Sequence, residues 1–118
     1  MNHGALQNRV MLAVSPQCVL FSNATGAYRR GRHVISYGLC KGSADLIGWT
    51  YATIGGKRRA IFTAIELKRG PKDKPKTHQA KFLNAVQVAG GIAGVAWDIE
   101  TAKEIIRKGI EDAERIAD

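Results

Sequence analysis

The sequence predicts an α/β fold in which a mixed central β-sheet is flanked by helices, and three observations lead to this prediction. Helical and strand patterns alternate along the chain, as they do where helices cover a sheet. Gly55-Gly56 separates two apolar runs, which is typical of a tight hairpin. The chain has 118 residues, 45% of them hydrophobic, so we expect a single domain over residues 1–118.

The first half of the chain predicts a helix followed by strands. Residues 6–15 have helical apolar spacing, which Pro16 ends. Residues 18–21 form a short apolar run with β character, and residues 33–37 predict another strand. The polar, basic and glycine-containing stretch between them, residues 22–31, is predicted to be a loop.

The second half predicts helix, strand and helix. Residues 77–88 indicate a helix with Thr77 as its N-cap, and residues 92–97 indicate a strand. Thr101 and Glu104 match a capping box, which predicts that a last helix opens there. We expect residues 101–118 to form a C-terminal helical extension, whose apolar side either covers the sheet or takes part in a dimer.

The net charge of +8 predicts a polyanionic partner. Nucleic acid fits this charge because each neutralised phosphate releases condensed counterions, although an acidic protein or an anionic membrane surface would also suit it. No apolar run approaches the roughly 18 residues that span a bilayer. The N-terminus has no signal-peptide pattern, so we expect a cytoplasmic location and no membrane partner.

The predicted hairpin brings two acidic residues together. Its strands are residues 45–51 and 60–68, and if Gly55-Gly56 is a two-residue turn, Asp45 faces Glu66 directly. A bulge or a different loop length would shift this register. Directly opposite residues have Cβ atoms roughly 4.5–5.5 Å apart. Because side chains alternate along a strand, Lys68 lies on the same face as Glu66.

This arrangement predicts a hydrolytic metal site. Two facing carboxylates at the ends of apolar strands repel one another, and a hard divalent cation such as Mg²⁺ or Mn²⁺ removes that repulsion. A phosphodiester at such an ion would be polarised toward hydrolysis, and Lys68 would stabilise negative charge or orient the attacking water. Gln79 is expected on the inward side of the first turn of its helix.

At these residues the chain resembles a known family. Asp45 followed by Glu66-Leu67-Lys68 is similar to the PD-(D/E)xK nuclease signature, and the chain more narrowly resembles the virus-type replication-repair nuclease (VRR-NUC) domain. The similarity covers roughly residues 5–103. The matching segments, in family order, are SNATGAY (22–28), KGSADLIG (41–48), AIELK (64–68), HQAKFL (78–83) and AGGIAGVA (89–96).

The resemblance implies a restriction-endonuclease-like core and a Mg²⁺- or Mn²⁺-dependent, structure-selective DNA endonuclease. It implies that Asp45, Glu66 and the Leu67 carbonyl bind the metal, that Lys68 is catalytic and that Gln79 is an accessory active-site residue. Small stand-alone members, from phages and bacteria, are thought to act as homodimers on branched DNA such as Holliday junctions. The implied location is therefore the cytoplasm of a bacterium or of a phage-infected host cell.

One departure from the family concerns the first helix, where many members place a Glu near the metal. This region holds His3, Gln7 and Asn8 and no carboxylate. We expect His3, close to the terminus, to be a mobile surface residue. The missing acid implies fewer bound metals or slower turnover.

Several residues are predicted to contact DNA. Tyr28 would stack on a base, and basic residues before a helix N-terminus would bind phosphates; a solvated basic loop is the alternative in each case. The predicted DNA-binding residues are Tyr28, Arg29, Arg30, Arg32, Lys41, Arg69, Lys72, Lys74, Lys76 and His78.

Two further hypotheses stay open beside the enzyme. The chain could be a catalytically weakened module that only binds branched or duplex DNA, which the missing acid on the first helix favours. It could also be a structural or toxin-inhibitor-type protein partner, a hypothesis that only the apolar side of the last helix favours.

Overall fold

The computed structural model describes residues 2–116, which form three helices and six strands. The helices are α1 (His3–Val14), α2 (Thr77–Val88) and α3 (Ile99–Ile116). The strands are β1 (Cys18–Ser22), β2 (Gly26–Arg30), β3 (His33–Tyr37), β4 (Leu46–Ile54), β5 (Lys57–Leu67) and β6 (Ile92–Ala96).

Four of the strands form a mixed sheet in the order β1-β4-β5-β6. Strand β4 is antiparallel to both β1 and β5, whereas β6 lies parallel to β5, with α2 in the connection between them. Strands β2 and β3 pair only with each other, as a separate two-stranded ribbon. The predicted α/β class with a mixed sheet and flanking helices is therefore confirmed.

The β4–β5 hairpin has the predicted register. Gly55 and Gly56 have φ angles of 60° and 77°, which a two-residue hairpin turn requires and which glycine adopts without a steric penalty. Leu46 pairs with Ile65 at the far end of the ladder. One residue further on, Asp45 and Glu66 stand at the same end of the sheet, as the sequence predicted.

Helices cover both faces of the sheet. Helices α1 and α3 pack on one face, where Val10, Leu46, Ile65 and Ile106 are 0% exposed. Helix α2 packs on the other face through Leu83 and Val86. Helix α3 therefore covers the chain's own sheet, which answers the question left open by its sequence.

Three local predictions were wrong in detail. Residues 22–31 were predicted to be a loop but contain β2, because a ribbon exposed on both faces has no alternation of apolar and polar residues. The N-cap of α2 is Lys76, and Thr77 is the first helical residue. Helix α3 begins at Ile99, two residues before the predicted Thr101, because the Asp98 carboxylate accepts the Thr101 backbone N–H at 2.7 Å.

Among residues 2–116, no helix is both long enough and apolar enough to cross a membrane.

Candidate active site

A cleft of about 900 Å³ opens at the end of the sheet where β5 and β6 stop and all three helices begin. Parallel strands bring their carboxyl ends to one edge, and α3 starts there directly after β6. The residues predicted to be catalytic or to bind metal all line this cleft: Asp45, Glu66, Leu67, Lys68 and Gln79.

Asp45 is fixed from two sides. Its carboxylate Oδ2 accepts the backbone N–H of Leu67 at 2.8 Å, which ties it to the end of β5. Its backbone carbonyl accepts the backbone N–H of Asn23 at 2.7 Å. The side chain is 28% exposed, so one carboxylate oxygen is held by the fold while the group still reaches the cleft.

Glu66 is buried and incompletely bonded. The residue is 2% exposed, and its Oε2 has no hydrogen-bond partner. Burial is the largest cause that raises the pKa of Glu66, and together with the hydrogen bond and the charge of the neighbouring Asp45 carboxyl it brings the pKa to about 8, although the Lys68 ammonium and the Asp45 backbone act in the opposite direction. The fold thus places two carboxyl groups where a counter-charge on the open side would be stabilising.

Lys68 and Gln79 complete the polar wall of the cleft. The Lys68 ammonium donates to the Gln79 Oε1 at 3.0 Å, and the same oxygen accepts the backbone N–H of Lys76 at 2.8 Å. The Gln79 Oε1 atom therefore both caps the first turn of α2 and orients the Lys68 ammonium. Its expected inward position is confirmed.

His3 is not placed as predicted. It is the first residue of α1, and its Nε2 lies 3.5 Å from Asp45 Oδ1, although 57% of the side chain is exposed. Gln7, one turn further along, donates to the Ser22 hydroxyl at 2.8 Å. Only the packing of α1 on the sheet brings His3 to the cleft, so no local sequence pattern signals its position.

The donor set of the cleft suits one hard divalent cation rather than a preformed cage. Within residues 2–116, no three His, Cys, Asp or Glu side chains form a group that could hold a metal ion. The carboxyl groups of Asp45 and Glu66 are neighbours, however, and Glu66 offers a buried oxygen with no partner. Mg²⁺ commonly binds to one or two carboxylates and keeps several waters, so the residues fit such an ion.

The predicted DNA-binding residues lie outside the centre of the site. Arg69 lines the cleft with a side chain that is 97% exposed. Tyr28, Arg29 and Arg30 are exposed on β2, and Arg32 is in the turn that follows. The remaining predicted residues are exposed around the start of α2: Lys41, Lys72, Lys74, Lys76 and His78.

Some cleft residues were not predicted. Arg9 on α1 and Asp98 before α3 line the same space as Glu66. Asn23, behind Asp45, donates to the Ser43 hydroxyl and to the Ala44 carbonyl, each at 2.8 Å. These side chains come from elements distant in sequence, so spacing alone could not group them.

No model of a known protein family matches this chain, and a comparison with curated proteins finds no match either.

Proposed function

We propose that this protein is a metal-dependent endonuclease that hydrolyses phosphodiester bonds in DNA, with the restriction-endonuclease-like core of the VRR-NUC family. The observation that carries the proposal is the buried Glu66 carboxyl, which has an unpartnered oxygen beside Asp45 and shares its cleft with Lys68. A purely structural glutamate would be expected to have its oxygens bonded.

Asp45 and Glu66 are the proposed ligands of one Mg²⁺ or Mn²⁺ ion, and the Leu67 carbonyl between Glu66 and Lys68 is the third. When bound, the ion supplies a Lewis acid that polarises a phosphoryl oxygen and lowers the pKa of a water. The hydrogen bond from Leu67 N–H to Asp45 Oδ2 keeps this carboxylate at the end of β5, and its other oxygen, Oδ1, which lies 3.5 Å from His3 Nε2, would bind the ion.

The Lys68 ammonium has a separate role in the proposal. Gln79 holds it in the cleft, where it would stabilise the negative charge that develops on the phosphate during attack. Arg69, exposed at the same edge, would bind an adjacent backbone phosphate. In this proposal Asp45 and Glu66 bind the ion, while Lys68 and Arg69 contact the phosphates.

DNA is the proposed substrate because positive charge far exceeds negative charge in the part of the chain that precedes α3. Residues 1–98 carry fourteen of the eighteen Lys and Arg residues and only four of the ten acidic ones. Branched DNA, including Holliday junctions, remains the expectation from the family resemblance.

A homodimer is proposed on the same resemblance. Helix α2 packs on β5 and β6, which leaves an apolar face on β1 and β4. On this face Phe21 of β1 is 54% exposed beside Trp49 of β4. Phe62 of β5, which pairs with Trp49, is 44% exposed. A two-fold pairing of this face would give two equivalent sites. Sedimentation of the purified protein tests it, because a monomer at all concentrations contradicts a dimer.

The function is tested by cleavage of labelled four-way junction, flap, splayed-arm and linear duplex DNA with Mg²⁺ or Mn²⁺. Asp45→Asn, Glu66→Gln and Lys68→Ala should each lower the cleavage rate by at least 10²–10³-fold, the order expected when one charge-stabilising group is lost. Lys103→Ala, on the exposed side of α3, is the matched control and should cleave normally. Normal cleavage by an active-site variant, or cleavage in excess EDTA, would contradict the proposal.

A DNA-binding module without catalysis is the second candidate. It is favoured by the lack of a third acidic, histidine or cysteine ligand within residues 2–116. Tight, salt-sensitive binding of DNA without cleavage of any of the four substrates at any Mg²⁺ or Mn²⁺ concentration would establish this alternative.

A further inference from the structure

The β2–β3 ribbon has no core of its own. Gly26–Arg30 pairs with His33–Tyr37, and all of these residues except Ile35 are exposed. At about 3.3 Å per residue, the five-residue strands extend roughly 17 Å. An isolated two-stranded hairpin is at best marginally stable in water, so such a ribbon needs support from its stem or from a partner.

One side chain at the stem joins the ribbon to the cleft. The Asn23 Oδ1 accepts the backbone N–H of Leu39 at 3.0 Å, which ties the two ends of the ribbon together. Its Nδ2 donates to Ser43 and Ala44, and its backbone N–H donates to the carbonyl of Asp45. The direction of the ribbon is therefore set relative to a proposed metal ligand.

The ribbon has one aromatic and basic face. Directly opposite residues share a face, so Tyr28 lies beside Ile35, and Arg30 lies beside His33. The ring of Tyr37 lies across Gly26, where a Cβ would clash with it, and its centroid is 6.5 Å from that of Tyr28. Both rings are about half exposed, at 51% and 50%.

The positive charge of the ribbon is not compensated. Arg29, Arg30 and Arg32 are at or next to its turn, and residues 22–44 contain no acidic residue. None of these three arginines is in an ion pair within the part of the chain that the structure describes. Two copies of this surface would repel one another, whereas a polyanion complements it.

We propose that the β2–β3 ribbon is an arm that lies in a groove of duplex DNA and fixes the duplex beside the cleft. The major groove is about 12 Å wide and admits a two-stranded ribbon, whose arginines reach phosphates and base edges. This inference rests on the proposed nuclease function and deepens it. A ribbon of roughly 17 Å covers about five base pairs at 3.4 Å each, so a substrate needs a duplex of about that length beside the cut.

The test compares two pairs of basic residues, one in the ribbon and one near the turn of the β4–β5 hairpin. Arg30→Ala/Arg32→Ala changes the ribbon, and Lys57→Ala/Arg59→Ala removes the same charge near the β4–β5 turn, at the end of the ladder away from Asp45. Affinity for a fluorescently labelled duplex is measured by anisotropy in EDTA over a range of salt concentrations. Because no metal is present, this readout does not depend on cleavage.

The ribbon variant should weaken duplex binding on the order of tenfold and lower the slope of log affinity against log salt by about 2, since two phosphate contacts are lost. The control variant should change both less. Tyr28→Ala should lower affinity without changing the slope, because an aromatic contact releases no counterions. Thermal unfolding checks that each variant is folded.

The outcomes separate this inference from the proposed function. Equal losses in the ribbon and control variants, or wild-type binding by a folded ribbon variant, would overturn the arm while cleavage by the wild type still supports the nuclease. A ribbon variant that changes solution mass but not DNA affinity would make the ribbon a protein contact and would also overturn it. Ribbon-dependent duplex binding by a protein that never cleaves DNA would support the arm and contradict the nuclease.

Discussion

Glu66 combines burial, an unpartnered oxygen and an acidic neighbour in one side chain. A buried carboxyl without a counter-charge destabilises a fold when it ionises, because it loses its hydration. Its position is explained if a cation, which the folded chain alone does not contain, binds on its open side. In the proposed function, Asp45 would bind the same ion, and Lys68 would stabilise the charge on the phosphate.

This placement predicts how the stability of the metal-free protein depends on pH. The pKa of Glu66 is about 8 in the fold, above its ordinary value of 4.5, so the folded state keeps a proton that the unfolded chain releases. The contribution of Glu66 to the free energy of unfolding is therefore greatest below about pH 4.5, and this contribution is lost as the pH rises through 8. In EDTA, Glu66→Gln should lack this loss and melt above the wild type at pH 8.

Thermal unfolding over a pH series measures this effect. Glu100→Gln is the control, because Glu100 is exposed at the start of α3 and its replacement removes a charge without a buried carboxyl. Identical pH profiles for the wild type and Glu66→Gln would show that the buried carboxyl does not ionise within this range.

At the scale of elements, the chain's local patterns predicted the β4–β5 hairpin, the position of Gln79 and the second strand of the ribbon, β3, but not its first strand, β2, or the cap residue of α2. Two adjacent glycines with positive φ allow few turn geometries. That Asp45 faces Glu66 could therefore be predicted by counting residues outward from the turn along both strands. The ribbon has no buried face for a pattern to reveal, and His3 reaches the cleft only through the packing of α1.

The stem of the ribbon provides a prediction at this scale. Asn23→Ala removes three side-chain hydrogen bonds, so we expect the free energy of unfolding to fall by about 1–3 kcal/mol. Trypsin should also cut the folded variant faster after Arg29, Arg30 and Arg32, because the ends of the ribbon are no longer joined. Asn8→Ala, at an exposed position of α1, is the control. Unchanged stability and unchanged cutting would contradict this role of Asn23.

At the scale of the whole molecule, the fold brings the starts of three helices and the ends of two strands to one cleft. The part of the chain that the structure describes is elongated, 55 × 29 × 24 Å. Helices α1 and α3 cover one face of the sheet, whereas α2 covers the other face over β5 and β6. Its charge is also uneven, because residues 99–118 carry six acidic and four basic residues while the preceding part is strongly basic. If the protein binds a polyanion, this distribution favours contacts through the part of the chain before α3.

The most direct measurement is the binding of Mn²⁺ by isothermal titration calorimetry, without DNA. The wild type and Lys68→Ala should bind the ion, because Lys68 is not a ligand, whereas Asp45→Asn and Glu66→Gln should lose binding while remaining folded. No Mn²⁺ binding by the wild type, or equal binding by all four proteins, would contradict a metal site shared by Asp45 and Glu66.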